Sequence, residues 1–229
     1  MGPLEYDTHI TQCRVGELEF ELLSIRNVEH AIDLMFAELE KRGATDLLED
    51  LCPYFGTLWP AARQLSQWIW EHRTAFENRS VLEIGCGLAL PSLVASRVGA
   101  QVVASDLHPD VPGFLERNLK QNPGTRVQFQ CLDWREDGGE GRRYDWIIAS
   151  DVLYERHHPE TLARFLTKAL SPTGRAVVVD PKRSFWEDLV LHADDAGLAL
   201  YSQEEQPHGI LLEFQHCQKT DTLSFRSTM

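Results

Sequence analysis

From residue 81 onward, short apolar runs rich in β-branched side chains alternate with stretches whose apolar positions recur every three or four residues. Residues 81–84, 102–106, 127–131, 146–149 and 175–180 read as strands, the last behind a turn at Pro172 and Gly174. Residues 90–98, 112–121, 159–170 and 185–196 read as helices, and Gly197 stops the last of them. Strict alternation of this kind requires parallel strands joined by right-handed crossovers, with ligands gathering at the C-terminal strand ends. Residues 198–203 and 209–216 flank a turn at Pro207 and can pair antiparallel. Before residue 81 the pattern is weaker. Residues 13–25 alternate around Gly16 as a hairpin would, and 28–41 carry apolar side chains on a helical period. Residues 59–72 repeat Trp59, Ala62, Leu65, Trp68 and Ile69, the stripe of a helix packed on the sheet. The expected organisation is an N-terminal extension over 1–58, hairpin plus helix, capping a cleft in a single domain over 59–229.

Candidate chemistry concentrates where the first strand of that domain ends. Glu83-Ile84-Gly85-Cys86-Gly87 joins a buried strand to a turn whose glycines let bare backbone approach a ligand, with a helix N-terminus facing the same place. A dinucleotide fingerprint needs a third glycine, and here that position is Leu90. Glu83, two residues before the turn, would repel a pyrophosphate and suit a ligand carrying a sulfonium and an α-ammonium. The expected cofactor is S-adenosylmethionine. Asp106 ends the next strand, where an acidic side chain takes ribose hydroxyls in either class of cofactor.

Four motifs follow in order: the glutamate-led glycine turn, Asp106, Leu132-Asp133-Trp134, and Asp151-Val152-Leu153-Tyr154. Together they resemble those of the family-16 class I S-adenosylmethionine-dependent methyltransferases, which are mostly protein-lysine methyltransferases. The likeness runs roughly from Trp59 to Asp180, about half of the chain. It implies an α/β fold with a Rossmann-like, doubly wound seven-strand mixed sheet, mostly parallel with an antiparallel C-terminal hairpin. One departure is Ala89, where the family often has a third glycine and usually tolerates a methyl-sized side chain.

The resemblance places Trp59, at its helix entry, on the border of the cofactor; core packing alone is the other reading. Trp134 offers a π-face to adenine, and Asp133 either accepts from the exocyclic amine or braces its own loop. Taken alone, a tryptophan after a strand is a packing anchor. Ala149 joins Glu83, Gly85, Gly87 and Asp106 in the cofactor-binding set. Asp151 and Tyr154 are the candidate catalytic pair: residues 150–154 follow the buried run 146–149 and fall beside the transferable methyl. In methyltransferases of amide or nucleobase nitrogen the matching loop is typically Asn/Asp-Pro-Pro-aromatic. Here Val152 and Leu153 replace both prolines, and Asp-x-x-Tyr is similar to the loop of lysine methyltransferases, whose acid and ring hold an aliphatic amine. The plainer alternatives are a helix N-cap for Asp151 and a core ring for Tyr154. A lysine ammonium, with a pKa near ~10.4, would lose its proton more easily in a desolvated pocket beside a sulfonium. Asp151 would orient that amine and Tyr154 guide it in.

The expected function is therefore methyl transfer to a lysine side chain of a protein substrate. A small-molecule amine or pyridine N-methyltransferase would instead need an enclosed pocket at Tyr154. A third reading is an inactive cofactor-binding interaction module. A net charge of −13 argues against nucleic acid, since the only compact basic groups are Arg142-Arg143 and Lys182-Arg183. No apolar run approaches the ~18 residues of a membrane span, and residues 1–10 lack the order of a secretion signal, so a cytoplasmic location is expected. The five cysteines show no zinc spacing and read as reduced thiols. His157 and His158, with no third ligand evident beside them, read as solvated loop residues, and no metal is expected. The acceptor's identity, the number of methyls added and the oligomeric state are not written in motifs this short.

Overall fold

The computed structural model describes residues 6–136 and 141–217; residues 1–5 of the expected extension and 218–229 at the other end lie outside it. Strands β1 (Thr8–Val15) and β2 (Leu18–Ile25) form a separate antiparallel hairpin, followed by helix α1 (Val28–Arg42) and the short α2 (Leu48–Leu51). The hairpin starts five residues earlier than the alternation around Gly16 suggested, because Thr8 to Gln12 pair with the far end of β2 although they bury little. Helix α3 (Pro60–Glu71) leads into β3 (Ser80–Ile84), α4 (Leu90–Arg97), β4 (Gln101–Asp106), α5 (Val111–Gln121) and β5 (Val127–Cys131). The chain continues through β6 (Tyr144–Ser150), α6 (His158–Ala169), β7 (Leu170–Asp180), α7 (Trp186–Asp195), β8 (Leu198–Gln206) and β9 (Gly209–His216).

The main sheet has seven strands in the order β5-β4-β3-β6-β7-β9-β8. Strands β3 to β7 run parallel, and β9 pairs antiparallel with both β7 and β8. This is the doubly wound mixed sheet with a C-terminal hairpin that the alternating pattern implies. β3 is buried on both faces from Val81 to Ile84, Glu83 included, because helices cover both sides of the sheet and leave no wet one. Along β6, Trp146 and Ile148 enter the core shared with α3, α4 and α5, whereas Ile147 and Ala149 enter the core under α6 and α7. One boundary differs from expectation. β7 begins at Leu170 and runs through Pro172 and Gly174: its pairing with β6 jumps from Tyr144↔Leu170 to Trp146↔Arg175, so the extra residues bulge without turning the strand.

The hairpin shares the first of these cores, with Val15, Phe20, Leu22 and Ile25 packed among residues of α3, α4 and α5. Its outer edge is closed by two buried asparagines at the C-terminal end of α5, Asn118 within the helix and Asn122 as its C-cap. Leu23 N donates to Asn118 Oδ1 at 2.7 Å, while Glu21 N donates to Asn122 Oδ1 (3.0 Å) and Asn122 Nδ2 donates to Glu21 O (2.7 Å). These amides take the place of a neighbouring strand. Among the described residues no helix is long and apolar enough to cross a membrane.

Candidate active site

Strand order reverses direction between β3 and β6, and a doubly wound sheet opens a crevice at that point. The loops leaving β3 and β6 border a cavity of about 520 Å³, a size suited to a nucleoside ligand. Its walls come from residues between Cys52 and Trp59, the turn from Gly85 to Leu90, Asp106 to His108, Leu132 to Arg135, and Ser150 to Glu155, with Arg183 added from the loop after β7. Trp59, Gly85, Gly87, Asp106, Asp133, Trp134, Asp151 and Tyr154, all expected from the sequence, lie together on this cavity.

The turn is built on left-handed backbone at Gly85 (φ 61°), Gly87 (φ 51°) and Ala89 (φ 61°). Ala89 occupies the position just before α4 and adopts a conformation that disfavours a Cβ by roughly 1 kcal/mol. A Cβ on Gly87 would lie 3.1 Å from the carbonyl oxygen of Phe55, so the turn closes directly onto the segment before α3. Phe55 is held there by rings: His108 at 4.3 Å, Phe114 at 5.0 Å and Tyr6 at 5.9 Å between centroids. The part of the extension that reaches the cavity is thus the stretch from Cys52 onward, while the β1–β2 hairpin packs to the side on α3 and α5. Gly87→Ala is expected to cost about 1–3 kcal/mol of stability by combining strain with that close approach. A urea midpoint equal to that of the native protein would refute it.

Asp106 accepts from Gly87 N at 2.9 Å through Oδ2 and from His108 N at 3.0 Å through Oδ1. Burial raises its pKa above the ordinary carboxylate value, a rise opposed by these backbone donors. His108 accepts from Asp110 N at its Nδ1 (3.1 Å) and donates from Nε2 to Leu51 O (3.0 Å); burial lowers its pKa and keeps the ring neutral. Trp59 is half-buried, with its Nε1 donating to Tyr54 O at 3.0 Å, so it is not a core residue. Asp133 accepts from Arg135 Nε (2.9 Å), Nη2 (2.8 Å) and backbone N (2.9 Å), and these donors hold its pKa down. That is the loop-bracing role. Trp134 lines the cavity yet is 92% covered, because it also packs into the core under α6.

Asp151 sits at φ 61° in the loop after β6, its N–H donating to Val179 O at 2.9 Å. Its carboxylate is paired with the guanidinium of Arg183. Helix α6 starts seven residues later with His157 at its N-cap, so Asp151 caps no helix. Tyr154 is 58% exposed, which removes the core-ring alternative. Its ring meets the edge of His158 at 4.5 Å, and Trp134 meets the same imidazole at 5.0 Å. Arg183 is the residue the sequence reading missed. Its N–H donates to Asp180 Oδ1 at 2.7 Å, which fixes the loop that carries it over the cavity.

Two candidates stand elsewhere. Ala149 is wholly buried within β6, paired with Ile84 and Val178, and Ser150 is the residue that faces the cavity. Glu83 is also buried, beneath the turn, where its Oε2 accepts from Ser92 N at 2.9 Å in the first turn of α4. Burial pushes its pKa up to about 8, so near neutrality the protonated form prevails. The electrostatic choice between pyrophosphate and sulfonium therefore does not come from Glu83 facing the ligand. The carboxyl instead ties the turn to the helix that follows it. Its ordinary pKa is 4.5, so between that value and about 8 the folded state holds a proton that the unfolded state has lost. Stability is expected to fall, by an amount on the order of a few kcal/mol, as pH rises from roughly 5 to 8. Glu83→Gln should flatten that slope. Urea midpoints at both pH values check this, and parallel pH profiles for the two proteins would exclude it.

The fit to a nucleoside cofactor is carried by this arrangement: glycine backbone that approaches closely, a half-buried acid with outward acceptor capacity, and flat apolar walls. Comparison with known proteins agrees. Residues 49–193 match a family described as lysine methyltransferase. The chain belongs to this family. A relative, histone-arginine methyltransferase METTL23 of Xenopus laevis, is 32% identical over 153 residues, covering 63% of this chain and 61% of the relative. Protein N-lysine methyltransferase METTL21A of Xenopus tropicalis is 32% identical over 114 residues, covering 48% and 53%. The chain thus spans between about half and three fifths of the length of these two relatives. Among solved structures, the T. thermophilus 16S rRNA N2 G1207 methyltransferase RsmC, in complex with AdoMet and guanosine, superposes with a TM-score of 0.66. That match has 17% identity and covers 94% of this chain and 52% of RsmC; it establishes the shared fold. Of the two histidines expected to be solvated loop residues, His157 is exposed and His158 is not. His158 is wholly buried, and burial pushes its pKa down to about 4, while Glu155 lies close to both rings.

Proposed function

We propose that this chain is an S-adenosylmethionine-dependent N-methyltransferase whose acceptor is a lysine side chain in a protein. The reading is carried by one cavity that has Asp106 on the nucleoside side and the Asp151–Tyr154 loop on the other, at the reversal point of the sheet. When bound, the cofactor supplies an electrophilic methyl on a sulfonium. Asp106 would hold the ribose, Gly85 and Gly87 the approach of the backbone, and Trp59 and Trp134 the apolar walls. Asp133, braced by Arg135, keeps the Trp134 loop in shape. Asp151 would orient the acceptor amine in place of Arg183, and Tyr154 would present its ring at the mouth. The exposure of Tyr154 favours a protein segment over an enclosed small molecule.

A second reading, an arginine acceptor, is favoured by a specific observation: Asp151 already receives a guanidinium, that of Arg183. The METTL23 relatives carry histone-arginine names. Labelling a lysate with tritiated cofactor and hydrolysing the labelled band decides between them. Radioactive methyl-lysine supports the first reading, methylarginine the second, and label confined to small molecules defeats both.

A further inference from the structure

Just past Tyr154, at the start of α6, stands a group of side chains to which the proposed methyl transfer assigns no role. Glu155, His157 and His158 each bring one metal-ligating atom to the same place, and these atoms all lie within 4.8 Å of one another. His157 Nδ1 is 3.2 Å and His158 Nε2 is 3.6 Å from Glu155 Oε2. Donors around a tetrahedral zinc with bonds near 2.1 Å stand roughly 3.4 Å apart. The glutamate is therefore at ligand spacing from both rings, and the rings of His157 and His158 pack edge to face at 4.8 Å.

His158 distinguishes the group from an ordinary surface cluster. Its side chain is fully buried, yet Nε2 has no hydrogen-bond partner among the described residues. Nδ1 lies 2.8 Å from the carbonyl oxygen of Val152. A carbonyl only accepts, so Nδ1 carries the proton and the lone pair is on Nε2, toward Glu155. Glu155 N also approaches Nδ1, at 3.4 Å, but a ring nitrogen accepting there would face the Val152 oxygen with a lone pair at the shorter distance. An imidazole that gives one N–H to a backbone carbonyl and presents its other nitrogen bare has the outer-sphere support typical of a metal ligand.

We propose that Glu155, His157 and His158 bind one divalent first-row transition cation, of which zinc is the type. Two imidazole nitrogens and one carboxylate oxygen, without thiolate, suit zinc, cobalt, nickel or copper better than magnesium or calcium. The ion takes no part in methyl transfer. Through His158 it would fix the ring against which Tyr154 and Trp134 pack, and so hold the acceptor end of the cavity in one shape.

The test uses the full chain, stripped with EDTA, dialysed, and titrated with zinc by calorimetry and with cobalt by visible absorption. The expected result is one ion per chain and a low-coordinate cobalt spectrum, with zinc affinity weakened roughly tenfold or more by His157→Ala and by Glu155→Gln. Both variants change residues outside the core, and circular dichroism verifies that they fold. Absence of a stoichiometric ion in the native chain, or equal affinity in the native chain and both variants, would overturn the assignment.

Discussion

Asp151→Asn is expected to lower turnover by roughly 10²- to 10³-fold while leaving the affinity for S-adenosylhomocysteine largely unchanged. Asparagine is the informative replacement because position 151 is at φ 61°, a conformation that Asn adopts readily and Ala does not. The backbone bond to Val179 O is kept, so the loop stays in place. What disappears is the negative charge that now binds the Arg183 guanidinium and that, with acceptor present, would hold the amine in line. Arg183 is 40% exposed and can rehydrate, which limits the cost to folding. Single-turnover methyl transfer beside calorimetric binding separates the two effects. Unchanged turnover in a folded variant would remove Asp151 from the chemistry.

Asp106→Ala should weaken S-adenosylhomocysteine binding by roughly 100-fold. Each oxygen of the carboxylate is already engaged by a backbone N–H, at 2.9 and 3.0 Å, and each retains a lone pair for a ribose hydroxyl. Hydrogen bonds to a charged acceptor are worth about 1.5–3 kcal/mol, so losing the ribose pair alone accounts for about 3 kcal/mol, two decades of affinity. The Gly87 amide also loses its acceptor in a half-buried turn, so the melting temperature should drop as well. A variant that melts early yet binds as tightly as the native protein would show that Asp106 serves only the turn.

The alternation of strands and helices was legible because each parallel strand is buried on both faces and each helix on one, so burial imprints two different periods on the sequence. The cavity residues at strand ends were legible for the same reason: the topology sends them to one edge. Direction was not. Glu83 lies at the expected position, but the Ser92 amide of α4 beneath the turn captures its carboxyl, and nothing in its spacing distinguishes a side chain facing the ligand from one facing the helix. Arg183 belongs to a basic pair whose partner is 32 residues away, a contact made by the neighbouring ends of β6 and β7. The burial of His158 has a similar origin, since a histidine at a helix start carries no sign of the tryptophan packed beside it. The stretch from Cys52 to Trp59 is built from short turns with no period at all, so its place on the cavity had no patterned signature.

The asparagine pair on α5 means that the borders of family likeness are not places to cut. A fragment trimmed to residues 49–193 would lose β2, taking away the strand partners of Asn118 and Asn122 and baring the apolar core that Phe20 and Leu22 cover. It would also lose β9, baring the flank of β7 as a sticky template for other chains. Excision along those lines should therefore yield aggregate rather than a minimal enzyme.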